Sequence, residues 1–289
     1  MAGVSMSGMA DVFVGSAAVA AGRLTRHELR RWYRPIYRGV YLPKGAPPTL
    51  RDRTVGAWLA SRRQAVIAGV AAAALHGAQW VDDDAVVELI SPAGRPQRGL
   101  VVRHETLGDD EITRVAGLPV TTTARTAYDL ARRLPRGHAV MRLDALMRAN
   151  PFSTEEVLLL AKRYAGARGL RRLREVLPLV DAGAASPKES WLRLQLVDAG
   201  LPAPTTQIPV VHRWRTLAVL DMGWETYQVA VEYDGDHHRS NRGQYVRDQW
   251  RLRRLADLGW IVIRVISEDR PDEVLARVRD ALCARGWRP

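Results

Sequence analysis

The sequence predicts an α/β protein, α+β overall, folded as two domains. Its 289 residues exceed the roughly 100–200 of one ordinary domain. An apolar share of 47% with 26% charged residues is the mix of a globular chain that can fill two cores. The pattern also changes along the chain. Short helices interrupted by β-type runs occupy the front, and from Ser186 the order reads helix, strand, strand, strand, helix, strand, helix. The expected divisions are a front domain over 11–150, a helical linker over 151–185 and a back domain over 186–289.

Several classes are excluded at once. Cys283 is the single cysteine, so neither an internal disulfide nor a cysteine zinc site is available, and a reducing, cytoplasmic location is expected. The longest apolar runs, Val12–Gly22 and Ala65–Leu75, fall well short of the ~20 residues that a membrane span needs, and no secretory signal is evident. The formal net charge is +12, with both halves basic and the front half more so. Such a surface gathers polyanions, which makes DNA the expected partner. Arginine far outnumbers lysine, however, and a GC-rich genome would produce the same excess.

In the front domain, Thr25 and Glu28 stand at capping-box spacing and start a helix over Arg26–Trp32. Tyr33–Pro43 reads as two short strands broken at Gly39. A helix followed by a basic hairpin is the outline of a winged helix, with Arg26, Arg30, Arg34 and Arg38 as nucleic-acid contacts. The alternative is that Tyr37 and Tyr41 merely pack on the helix while the arginines are solvated. Helices are expected over Leu50–Arg62 and then to Leu75, stopped by Gly77. Ala85–Ile90 and Leu100–His104 suggest a hairpin or paired strands. Further helices open near Thr121, over Ala139–Arg148, and from the Ser153/Glu156 capping box through Tyr164.

The back domain carries the candidate chemistry. Ser186-Pro187-Lys188-Glu189 has every helix-start cue, and Glu189 serves either as cap or as catalytic acid. Strands are expected over Gln207–Val211, Thr216–Asp221 and Tyr227–Glu232. A two-residue turn at Glu225-Thr226 would pair Asp221 with Ala230 and put Glu232 diagonally beside Asp221, roughly 7–8 Å away on one face. Two carboxylates so placed can share a divalent ion, and Asp234 would sit at the strand end on the same side. A one-residue slip destroys this parity, and a hairpin end neutralised by arginines is the alternative. Asp234-Gly235-Asp236-His237-His238 then adds imidazoles suited to proton transfer near neutral pH. A helix over Asn241–Leu258, a strand over Trp260–Ile266 and a helix over Pro271–Arg285 complete the domain.

Glu189, Asp221, Glu232 through His238, Arg247-Asp248, Arg251, Leu258-Gly259-Trp260 and Arg264 together resemble the bacterial domain of unknown function 559. That family is similar to the very-short-patch-repair endonucleases of the PD-(D/E)XK group. The likeness covers about 186–285 and implies a mixed sheet flanked by helices. It also implies a Mg²⁺ or Mn²⁺ ion on Asp221 and Glu232, support from Glu189, and a signature histidine at His238. Where the group's motif has lysine this chain has Asp234, which removes the usual charge that orients the nucleophile.

Residues 11–130 more loosely resemble AbiEi-type antitoxins through Leu24-Thr25, Arg38-Gly39-Val40-Tyr41, Gly117–Thr121 and Arg125–Leu130. This likeness implies a DNA-binding winged helix and a toxin partner. The joint expectation is a DNA-binding protein with a metal-dependent endonuclease domain, in repair or phage defence. Its rival is a non-catalytic, antitoxin-like transcriptional regulator.

Overall fold

A computed structural model describes residues 12–45, 47–234 and 242–288. The chain forms two compact units, one of residues 1–134 and 149–174 and one of 135–148 and 175–289. The division differs from the expected one: the linker is split, 151–174 joining the front and 175–185 the back, and the helix expected over Ala139–Arg148 joins the back.

The front unit opens with β1 (Phe13–Val14), α1 (Gly15–Ala20), α2 (Arg26–Trp32), β2 (Tyr33–Tyr37), β3 (Val40–Pro43) and α3 (Leu50–Ala60). Both halves of the Thr25/Glu28 capping box are formed at the start of α2. Strand β3 lies between β1 and β2, antiparallel to each. Gly39, at φ +77°, turns the hairpin where L-residues are strained. The helix-and-hairpin outline is therefore present, with β1 as an unpredicted third strand. Helix α3 ends two residues before the expected Arg62, because Arg62 and Arg63 take positive φ.

Next come β4 (Val66–Ala68), α4 (Gly69–Leu75), β5 (Val87–Ile90), β6 (Leu100–Arg103), β7 (Ile112–Val115), β8 (Leu118–Thr121) and α5 (Thr123–Arg133). They build a mixed five-stranded sheet in the order β6-β5-β4-β8-β7. Strands β5 and β6 do pair, but in parallel rather than as a hairpin. Buried Ile67, Leu89 and Val120 bring β5, β4 and β8 into one core that also holds Tyr37 and Val40 of the wing. After α6 (Arg136–Ala149) follow α7 (Thr154–Arg163) and α8 (Leu170–Val176).

Helix α6 belongs to the back unit because its Asp144 is buried there. The carboxylate accepts hydrogen bonds from Ser190 Oγ (2.6 Å), Arg193 Nη2 (2.8 Å) and the Asp181 amide (2.8 Å). The back unit continues with α9 (Pro187–Asp198), β9 (Thr205–His212), β10 (Arg215–Trp224), β11 (Val229–Tyr233), α10 (Arg242–Asp257), β12 (Ile261–Val265) and α11 (Pro271–Ala284). The sheet order is β12-β11-β10-β9, with β11 parallel to β12 and the other pairs antiparallel. Leu192 and Leu196 of α9 and Val274, Val278 and Leu282 of α11 share one core with the sheet, while Leu255 of α10 belongs to another.

One register differs from the expectation. Gly223, not Asp221, pairs with Ala230, because residues 225–228 form a helical turn ending in left-handed Gln228. The slip is two residues, so side-chain parity survives. Continued by one step, the register sets Asp221 directly opposite Glu232 rather than diagonal to it.

Candidate functional site

On the wing, Arg26, Arg30 and Arg38 are exposed and Arg34 is half-buried. Arg26 and Arg30 are one turn apart on α2, hence on one face, while Leu29 is buried. The Thr25 bonds hold the Glu28 carboxyl below its usual range. Tyr37 is buried in the core, and Tyr41 stacks on Phe13 with ring centroids 6.4 Å apart. The tyrosines thus pack, on the core and on Phe13 rather than on the helix alone, and the helix presents Arg26 and Arg30 to solvent.

In the back unit, Asp221, Glu232, Asp234, Asp248, Arg251 and Arg264 line a small cleft of about 160 Å³. Asp221 Oδ2 accepts from the Tyr233 amide at 2.9 Å. Burial, with Glu189 and then Glu232 repelling its charge, pushes the Asp221 carboxyl up to about 7, against the opposing Tyr233 amide and Arg251. Glu189 is buried: its amide is capped by Ser186 Oγ and its carboxylate accepts from the Ala185 amide at 2.8 Å. It acts as a helix-start residue and as a source of negative charge for Asp221. His238 of the expected site, with 235–241, lies outside the described residues.

The expected ion has a competitor in this cleft. Arg251 grips both oxygens of Glu232, at 2.7 and 2.9 Å, and that contact holds its guanidinium above the usual range. Arg264 holds Asp234 at 2.5 Å and reaches Asp248 at 3.3 Å. Among the described residues no three His, Cys, Asp or Glu side chains are grouped to hold a metal ion. The donor set expected for Mg²⁺ or Mn²⁺ on Asp221 and Glu232 does not fit the ion as arranged, because Glu232 is already satisfied by a fixed cation.

A third constellation has no counterpart among the sequence expectations. Asp129, on α5, is fully buried and accepts from Arg103 (2.9 Å), Arg125 (3.3 Å) and Arg132 (3.0 Å). Burial alone would raise its carboxyl; the three guanidiniums overcome this and hold it below its usual value. Arg125 also meets Glu111 and Glu105, and Arg163 of α7 bridges Asp110 and Glu111. The signal in the sequence is the run Arg125, Asp129, Arg132, Arg133, which puts both charges on one helix face. It does not stand out in one dimension, because charged helix residues are ordinarily solvated.

The uncharacterized proteins MT2308 and Rv2248, from two strains of Mycobacterium tuberculosis, are each 31% identical to this chain over 255 residues. The alignment spans 86% of this chain and 90% of theirs. The chain belongs to their family. Residues 58–179 also match the AbiEi antitoxin C-terminal domain. Relative to the resemblance expected over 11–130, this match begins after the wing, includes the five-stranded sheet with its buried arginine network, and ends before α9. No helix of the described residues is long and apolar enough to cross a membrane.

Proposed function

We propose that this family member is a DNA-binding regulator of the toxin–antitoxin type. The observation that carries the reading is the exposed Arg26/Arg30 face of α2, set on a capped helix and followed by a hairpin with exposed Arg38. A helix so presented enters a major groove, and the hairpin arginine meets phosphates beside it. The antitoxin-domain match over 58–179 supports a toxin protein as its second partner. The test is binding to duplex DNA from upstream of its own gene, titrated against salt. Arg26→Glu with Arg30→Glu is expected to weaken binding at least tenfold and to reduce the slope of log K against log salt by about 2. An unchanged affinity and slope would remove the wing from the interface.

A second reading, a metal-dependent endonuclease in repair or defence, is favoured by one observation. Two acidic side chains, Glu189 and Glu232, both repel the charge of Asp221 at the head of a helix–three-strand–helix–strand core. Hydrolysis at this cleft would require Arg251 to release Glu232 first. On the regulator reading, supercoiled plasmid stays intact with the protein and Mg²⁺ or Mn²⁺. Cutting by the wild type that disappears in Asp221→Ala would replace the regulator with the enzyme.

A further inference from the structure

The front unit holds a cavity of about 820 Å³ beside the buried arginine network, within the roughly 300–1,000 Å³ of small-ligand sites. Its wall is formed by α5, by the end of α7 and by the small-residue loop 165–169. Gly169 fixes that loop against α5: at φ +87°, a Cβ here would stand 2.1 Å from the Arg132 carbonyl oxygen. The loop is therefore held close to the helix, and its small residues leave the mouth open.

Two features of the lining exceed what the fold uses. Tyr128 is 1% exposed, lines the cavity, and its buried hydroxyl has no hydrogen-bond partner among the described residues. A buried hydroxyl without a partner costs free energy unless something supplies one. Cationic charge is also in surplus. Glu105, the acidic residue of the lining, is already shared by Arg125, Arg132 and Arg133. Arg168 pairs with no carboxylate among the described residues, and Arg172 donates only to backbone carbonyls, that of Leu134 at 3.1 Å among them.

Flat surfaces accompany the charge. The Tyr128 and Tyr164 rings lie 6.0 Å apart, and the Arg125 guanidinium stands 5.3 and 5.1 Å from their centroids. Guanidiniums in excess call for an oxyanion. Arg125 and Arg132 cover the Tyr128 ring, so the half-buried Tyr164 ring is the one that calls for a planar group. The geometry points to a mononucleotide site, with phosphates on Arg168 and Arg172 and the base against the tyrosine side, where the Tyr128 hydroxyl supplies a donor and an acceptor. The site is separate from the wing and from DNA binding.

The test is calorimetric titration of the full chain, without DNA, with ATP, GTP, CTP and UTP. Adenosine, inorganic triphosphate and a single-stranded oligonucleotide are the comparison probes. At least one nucleotide is expected to bind in the micromolar range, and adenosine and triphosphate at least tenfold more weakly. Arg168→Glu with Arg172→Glu, both exposed, should weaken nucleotide binding at least tenfold, and Arg168→Glu alone, which gives up no carbonyl contact, should weaken it with the melting temperature of the free protein unchanged. Tyr128→Phe, which removes only the hydroxyl, should weaken it about threefold or more. No nucleotide binding at millimolar concentration overturns the proposal. So does equal binding by the double arginine variant, equal affinity for triphosphate alone, or a preference for the oligonucleotide. Because DNA is absent, none of these outcomes bears on the wing.

Discussion

Asp129→Ala is expected to destabilise the front unit by about 3–5 kcal/mol, the usual cost of removing one partner from a buried ion pair. The side chain is fully buried and its carboxylate is shared by Arg103, Arg125 and Arg132, whose side chains are themselves at most 7% exposed. Truncation leaves these cations facing a cavity, with Glu105 and Glu111 as the nearest compensation. For a unit of this size the melting temperature should fall by about 10 °C. Urea unfolding measures the loss, and a change under about 1 kcal/mol would show that the network is not a stabilising feature. Asp272→Ala is the internal control. Its pair with Arg270 is about two-thirds exposed on both sides, and its loss should fall within ~0.5 kcal/mol of zero. The contrast isolates burial, since both changes delete one aspartate that faces arginine.

This network also marks where sequence reading runs out. Cues that act within one turn were legible: Thr25 with Glu28, Ser186 with Glu189, Gly39 in the hairpin and Gly259 at the end of α10 each act on the backbone beside them. The order of elements after Ser186 was legible too, because its strands are rich in β-branched and other apolar residues between turn signals. Strand β4 was not. Val66–Ala68 is three residues long and runs straight into an alanine-rich helix, and only its pairing with Leu89 and Val120 makes it a strand. Nothing local announces such partners.

The acidic cleft falls between these cases. Asp221 and Glu232 do share a face, and the sequence parity was right for that, although the turn beneath it is longer than assumed. The arginines that meet Glu232 and Asp234 come from α10 and β12, distant in sequence. Two of the carboxylates that suggest an ion in one dimension, Glu232 and Asp234, thus have guanidinium partners in three. The alternative of a strand end neutralised by arginines is what the geometry shows for Glu232 and Asp234, but not for Asp221.

Asp221 therefore carries the second large effect. Its carboxyl is raised to about 7 from an ordinary 3.8, so the folded protein resists ionising it. Below pH 4 the group is protonated in both states and contributes nothing to the difference. Between pH 4 and 7 the unfolded chain ionises while the folded one holds its proton, and stability falls by up to about 1.4 kcal/mol per pH unit. Above 7 the loss levels off. Asp221→Asn keeps an acceptor for the Tyr233 amide and removes the charge. At pH 8 the variant should exceed the wild type in stability by about 2–4 kcal/mol, and the two should converge below pH 4. Denaturant midpoints across pH 4–8 test this, and parallel curves would mean that the burial and the Glu189 repulsion are relieved in solution. Adding 10 mM Mg²⁺ at pH 8 provides the discriminating arm. With Arg251 seated on Glu232, the wild-type midpoint should stay where it is. A rise in the wild type that Asp221→Asn lacks would mean that the ion displaces the guanidinium, and the endonuclease reading would then supersede the regulator.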